Sequence, residues 1–126
     1  MVESKVRIFV VRPWKATGSA IPLRLLEDDG PVGTLFAGHY LCWEVPPRRI
    51  TLTTAGASGN WFEQGDAPAP PLALDLKSGR SYYVQAAVDF GGGWHDTLQA
   101  VDAETGEKLL AVARPPDSVP GEGCAR

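Results

Sequence analysis

The sequence is short of cysteine, of basic residues and of long apolar runs, and each shortage narrows the class of protein. With 126 residues and two cysteines, the chain is long enough to bury a hydrophobic core without disulfide staples. Its net charge of −3 gives no basic stripe for nucleic acid, so we expect no nucleic-acid partner. No segment approaches the roughly 18 apolar residues that a membrane-spanning helix needs.

The first residues, MVESKVRIFVV, lack the long apolar stretch and small-residue cleavage site of a secretory signal. We therefore expect a cytoplasmic protein as the chain stands, or a periplasmic or envelope protein if a signal was removed. Cys42 lies in a strand-like run and Cys124 in a polar stretch rich in proline and glycine. We expect Cys42 to be free and partly buried and Cys124 to be loose, with a disulfide between them as the alternative.

Catalytic motifs are also missing. The sequence contains no nucleophile elbow, glycine-rich phosphate loop, His-Glu-x-x-His or Cys-x-x-Cys pair. His39, Cys42 and Glu44 are close in sequence, but the two-residue period of a strand places His39 on the opposite face from the other two. His95 and Asp96 point to opposite faces for the same reason. We predict a protein that is not an enzyme and that has no cofactor and no metal site.

Short strands dominate what is present. Eleven prolines and fourteen glycines divide the chain into short segments with alternating or continuous apolar residues, which indicates strands rather than helices. We predict strands over residues 5–11, 20–27, 32–37, 39–45, 49–55, 71–76, 81–90 and 96–103. The first is apolar on both faces and is expected to be a central strand. The segments predict one antiparallel β-sandwich of seven to nine strands over residues 1–114, followed by a flexible tail over 115–126.

Residues 103–113 admit two interpretations. A short C-terminal helix would begin at Asp102 or Thr105, with Gly106 in its first turn at a penalty of about 1 kcal/mol relative to alanine. A turn over AETGEK would instead join two strands, with Gly106 supplying a positive φ. We favour the hairpin.

The long loops are predicted to gather at one end of the sandwich. If every connection reverses the chain, the compact turns EDDGP, PPRR, KSGR and AETGEK all fall at one end. The connections at residues 12–19, 38, 56–70 and 91–96 then meet at the other end. That end would hold three of the four tryptophans and both histidines, namely Trp14, Trp61, Trp94, His39 and His95.

Two interpretations of this cluster remain open. Function concentrates on loops carried by a rigid scaffold, so the tryptophans could stack on a carbohydrate, a peptide or a protein partner, with the histidines as polar contacts. Alternatively, the tryptophans fold over the open end of the core and only seal it. A further alternative is a structural role, in which an exposed sheet edge binds a protein partner. A small hydrolase or metal site at the loops is the last alternative.

Several turn and strand motifs resemble a family of bacterial β-sandwich domains of unknown function that are often found in lipoproteins. The matching stretches are Asp29–Gly33, Gly38–Leu41, the Pro46–Pro47 corner and Gly79–Val84. The first of them also resembles PEGA-type repeats. The resemblance covers residues 5–103 and implies a prealbumin-like or immunoglobulin-like sandwich that is associated with the cell envelope. Arg48 and Arg49 depart from the family pattern after the proline corner.

Overall fold

A computed structural model describes residues 5–16, 18–55, 69–90 and 93–114 of the chain. These residues form eight strands and one helix. In chain order they are β1 (Val6–Arg12), β2 (Leu23–Glu27), β3 (Gly30–Leu35), β4 (His39–Val45), β5 (Arg49–Thr54), β6 (Leu72–Asp75), β7 (Ser81–Phe90), β8 (Trp94–Val101) and α1 (Ala103–Ala111). Each predicted strand is therefore present. The predicted tail over 115–126 lies outside the described residues.

The strands form two four-stranded sheets. Sheet A has the order β4-β1-β7-β8, and sheet B has the order β3-β2-β5-β6. All pairings are antiparallel except β1 with β7, which is parallel. The expectation of a purely antiparallel sandwich was wrong at this pair. Because β1 and β7 are far apart in the chain, no hairpin forces them to run in opposite directions.

Strand β1 is buried on both faces, as its sequence predicts. Val6, Ile8 and Val10 point between the sheets and belong to the main core, which contains residues of both sheets. Phe9 and Val11 point the other way, into a second and smaller apolar cluster. Strand β1 lies between β4 and β7 in sheet A. A strand buried on both faces needs a cover on its outer side, which α1 supplies.

The helix corrects the preferred interpretation of residues 103–113. Asp102 caps α1, and its side chain accepts a hydrogen bond from the backbone N–H of Thr105 at 2.8 Å. Leu110 is buried in the second cluster on the outer face of sheet A, and the Tyr83 hydroxyl donates to Glu107 at 2.6 Å. Gly106 is buried because the helix crosses directly over Tyr83. Glycine thus serves close helix–sheet contact here and does not form a turn.

Two compact turns lie together at one end, which we call the turn end. Asp28 and Asp29 both have positive φ in the β2–β3 turn, as a tight hairpin requires. The Asp28 carboxylate accepts from the backbone N–H of Thr51 at 2.8 Å, and Arg48 of the β4–β5 corner pairs with Glu27 and Asp28. The predicted alternation of connections is confirmed for this turn and this corner.

Cys42 is disulfide-bonded, so the expectation of a free thiol was wrong. The only other cysteine in the sequence is Cys124, which lies outside the described residues. Cys42 is buried on the helix side of β4, where the second apolar cluster forms. A buried cysteine on that face looks from sequence like any small apolar residue, so the pattern did not favour the bond.

No helix among the described residues is long and apolar enough to cross a membrane.

Replacing Gly106 with alanine tests the helix–sheet contact. A Cβ at this position would lie less than 3.0 Å from the Tyr83 ring, so we expect Gly106→Ala to destabilise the fold by about 1–3 kcal/mol in urea denaturation. Helix propensity alone predicts the opposite, a gain of about 1 kcal/mol. Gly33→Ala is the matched control, since a Cβ there makes only ordinary contact with Leu41. A stabilised Gly106→Ala variant would contradict the close approach.

The helix cap predicts a dependence of stability on pH. The hydrogen bond from the Thr105 backbone lowers the pKa of Asp102 below its ordinary value. Since the folded-state pKa is lowered, the stabilisation is present above the unfolded pKa of about 4, and is lost as pH falls through the folded value. The variant Asp102→Asn keeps a side chain that caps the helix but does not titrate. We expect the stability advantage of the wild type over this variant to shrink below about pH 4; a difference independent of pH would refute the assignment.

Candidate functional site

The end opposite the turns, here called the loop end, is organised by the buried side chain of Arg12. Arg12 ends β1, is 3% exposed, and points into the sandwich on the same side as Val10. Its guanidinium donates to the carbonyl oxygens of Ile21 at 2.6 Å, Gly18 at 2.8 Å and Leu35 at 2.9 Å. These carbonyls belong to the β1–β2 loop and to the end of β3. One planar cation therefore holds two connections together.

Two glycines let the loops close over the core. Gly18 has φ +78°, and a Cβ there would lie 2.9 Å from the carbonyl oxygen of Val88 and 3.3 Å from the Trp94 ring. Gly38 has φ +83° and lies against Trp14. Both positions need a left-handed backbone, which glycine alone permits without strain, and Gly18 also needs the close approach to Val88. The β1–β2 loop consequently lies across the start of β8 and the end of β7.

Exposed aromatic rings are concentrated at this end. Trp14 is 65% exposed, Phe90 is 62% exposed and Phe36 is 47% exposed. Trp14 lies in the β1–β2 loop, Phe36 in the β3–β4 turn and Phe90 at the end of β7. We call these three side chains the aromatic rim. Exposed aromatic side chains at one end of a fold form a candidate contact surface.

The structure separates the tryptophans that the sequence grouped together. Trp94 is half-buried and packs against the main core, with the edge of its ring toward Phe90 at a centroid distance of 5.0 Å. Trp94 therefore seals the sandwich, as the second interpretation expects, whereas Trp14 projects into solvent. Trp61 lies outside the described residues. Of these two tryptophans, Trp14 offers the more exposed ring, since Trp94 is half-buried.

The two histidines lie in different parts of the loop end. His39 begins β4, and its ring meets the Phe36 ring edge-on at 6.5 Å. His95 lies directly opposite Asp89 on the outer face of sheet A, and its Nδ1 is 3.4 Å from the carbonyl oxygen of Gly93. The structure therefore places His39 beside the rim, in contact with Phe36. It places His95 on the sheet surface behind Phe90.

A charged pair links the two halves of the rim. Lys15, next to Trp14, forms an ion pair with Asp89, next to Phe90. Beside Lys15 lies a shallow indentation of about 10 Å³, which is lined by Arg12, Pro13, Lys15, Ala37, Ala87 and Val88. That volume holds about one water molecule.

Asp96 is separated from His95, as the strand period predicts. Asp96 lies opposite Val88 and is 1% exposed, so it faces the interior of the sandwich while His95 faces outward. The two side chains cannot act together on one substrate. Among the described residues, no group of three or more His, Cys, Asp or Glu side chains is arranged to hold a metal ion. The predicted alternatives of a hydrolase or metal site gain no geometric support there.

Comparison of the chain with known protein families, curated proteins and solved structures finds no match. The site has to be interpreted from its own geometry. The resemblance to envelope sandwich domains remains a prediction.

Sequence reasoning missed Phe36, Phe90 and Arg12. Phe36 and Phe90 each end an apolar strand segment, where a phenylalanine is ordinarily part of the core. Phe36 follows the buried Leu35 by one residue, and Phe90 follows the buried Val88 by two. This position beyond the last buried residue of the strand is the only available signal. It depends on strand ends, which sequence patterns locate imprecisely. Arg12 resembles a solvated charge at the end of a strand. Only the backbone carbonyl groups of the β1–β2 loop and of the end of β3, which surround its guanidinium in the fold, show that it is buried.

Arg12→Lys tests the role of the guanidinium. An ammonium group cannot reproduce three donors in one plane, so buried carbonyl oxygens lose partners. We expect a loss of about 2 kcal/mol or more in the free energy of unfolding, together with increased iodide quenching of Trp94. Arg24→Lys, on the exposed face of β2, is the control and should change stability by less than about 0.5 kcal/mol. Equal effects at both positions would show that Arg12 does not organise the loop end.

Proposed function

We propose that the protein is a non-enzymatic binding module, and that the aromatic rim at the loop end is its binding surface. The observation that carries the proposal is the exposure of Trp14, Phe36 and Phe90 at the same end of a rigid sandwich. These rings come from three separate connections or strand ends, so the fold itself brings them together. Three apolar faces at one end offer a larger contact area than any one of them alone.

The geometry favours a carbohydrate over a small apolar ligand. The indentation beside Lys15 holds about one water molecule, so it is too small to bury a compact ligand. Sugar rings instead stack on flat exposed aromatic faces and use their hydroxyl groups to bond neighbouring polar side chains. Trp14 and Phe90 supply apolar faces, and Lys15, Asp89 and His39 supply donors and acceptors. A peptide or a protein partner is the second class that such a surface suits.

We further propose a cell-envelope location and a prealbumin-like or immunoglobulin-like sandwich type. The disulfide at Cys42 supports the location, since structural disulfides persist mainly in oxidising compartments. Two four-stranded sheets around one core support the sandwich type. The resemblance of the turn motifs to envelope sandwich domains agrees with both proposals.

Saccharide titration with iodide quenching tests the binding surface. We expect Trp14 fluorescence, taken as the difference between the wild type and Trp14→Phe, to be strongly quenched by iodide and to be protected by a bound oligosaccharide. Each ring contact contributes about 0.5–1.5 kcal/mol. Removal of Trp14 or Phe90 by alanine substitution should therefore weaken binding roughly two- to tenfold.

A matched pair of lysines supplies the control. Lys15 pairs with Asp89 at the loop end, and Lys77 pairs with Asp75 at the turn end. If the rim binds the ligand, Lys15→Ala weakens binding while Lys77→Ala leaves it unchanged. If no saccharide in a broad panel protects Trp14 from iodide, the carbohydrate proposal fails. Protection by peptides alone would assign the surface to a peptide partner.

A further inference from the structure

The outer edges of the two sheets differ in how they are protected from pairing with other strands. Edge strands present unpaired backbone N–H and C=O groups, and natural proteins blunt them with prolines, charges, bulges, short strands or covering segments. The edges here are β4 and β8 in sheet A, and β3 and β6 in sheet B.

Three of these edges carry recognisable protection. Strand β3 contains Pro31, and the register with β2 shifts beside it. Strand β6 has four residues and follows the prolines at 70 and 71. Strand β4 is covered at its start by Arg114, whose backbone donates to Gly38 and accepts from Tyr40 at 2.9 Å each.

Strand β8 carries one such device, the inward-facing charge of Asp96, and otherwise lacks protection. It runs for eight residues, pairs with β7 in one uninterrupted register from Trp94 to Val101, and contains no proline, lysine or arginine. Within the described part of the chain, no strand lies on its other side. A long and regular edge strand of this kind is a template for strand addition.

The core is also incompletely covered beside β8. Leu98 lies opposite Ala86 of the core, and Ala100 lies opposite Val84, so both point between the sheets. Leu98 is nevertheless only half-buried, and Ala100 is exposed. Apolar side chains that face the interior but remain in contact with solvent gain burial if the sheet is extended by another strand.

We propose that β8 pairs with β8 of a second copy of the chain, antiparallel and centred on Thr97. Residues directly opposite each other in a continuous sheet point to the same face. In an antiparallel pair of identical strands, the twofold axis must therefore pass between the two copies of one residue and not between two successive residues. An axis at Asp96 would place two carboxylates opposite each other, which is unfavourable. An axis at Thr97 pairs residues 94–100 of the two copies and places Thr97 opposite itself, a favourable cross-strand pair.

Apart from Asp96, which lies opposite Leu98 of the second copy, the side chains of β8 complement each other in this register. His95 lies opposite Gln99 of the second copy, so polar groups meet on the outer face. Trp94 lies opposite Ala100 of the second copy, so a large side chain meets a small one on the inner face. An axis at Leu98 would instead place His95 opposite Val101. The chemistry of the strand thus selects a second copy of the chain as its partner, in a closed twofold arrangement.

This pairing does not rest on the proposed binding function, but it has a consequence for it. The strands run in opposite directions across the twofold axis. The two loop ends therefore point away from each other, and the dimer presents an aromatic rim at each extremity.

Sedimentation equilibrium from micromolar to millimolar protein tests the proposal. We expect the wild-type mass to rise from that of the 13.5 kDa chain to twice that value, with rising hydrogen-exchange protection confined to β8 amides. Thr97→Lys places two ammonium groups opposite each other and should keep the protein monomeric at every concentration. Thr97→Cys should give a covalent dimer under mild oxidation, since it brings the two thiols together on the axis.

Ala73→Lys is the matched control, because Ala73 is exposed on the edge strand β6 and lies opposite the uncharged Thr51. This variant should dimerise like the wild type. A wild type that stays monomeric at millimolar concentration overturns the proposal. The partner of the β8 edge would then be a strand of a different protein. A dimer that persists in folded Thr97→Lys, as judged by circular dichroism, equally overturns it.

Discussion

The rest of the structure depends on the burial of β1 on both of its faces. Its inner residues join the two sheets into one core, while Phe9 and Val11 on the outer face form the second cluster. The Phe9 ring stacks on Tyr83 at a centroid distance of 5.3 Å, and α1 closes over both. A strand that is apolar on both faces needs cover on both faces. Here sheet B covers the inner face of β1 and the helix covers its outer face, while β4 and β7 pair with its two edges.

The same strand determines the loop end through its last residue. Burial of a guanidinium group is unfavourable unless its donors are satisfied, and Arg12 satisfies them with carbonyl groups from two separate connections. The loops are thereby held in place by the scaffold, with Trp14 directed to solvent and Trp94 directed to the core. A rigid presentation of this kind reduces the ordering entropy that a binding surface loses on association.

The loop end and the β8 edge use different chemistry. The loop end offers aromatic faces beside a charged pair, which suits side-chain stacking and hydrogen bonds. The edge of β8 offers backbone groups in a regular array, which suits another strand. The two surfaces lie on different parts of the fold, so one molecule can use both at once. Distinct variants at Trp14 and Thr97 separate their effects.

Much of the fold could be predicted from the sequence alone. The strands, the turn chemistry of residues 27–31 and the position of the β2–β3 turn beside the β4–β5 corner follow from local signals of period and turn preference. The candidate site itself stays a prediction. Trp14 and His39 lie in or beside the rim, His95 lies behind it, and Trp94 belongs to the core instead.

The tertiary structure decided what local signals leave open. Gly106 suits a turn or a close helix contact equally well, and only the Tyr83 ring beneath it selects the helix. The parallel pairing of β1 with β7, the disulfide at Cys42 and the burial of Arg12 depend on segments that are distant in the chain. Sequence periodicity reports which face of an element is apolar. It does not report which distant segment covers that face, and that choice determines whether an aromatic ring seals the core or remains exposed for binding.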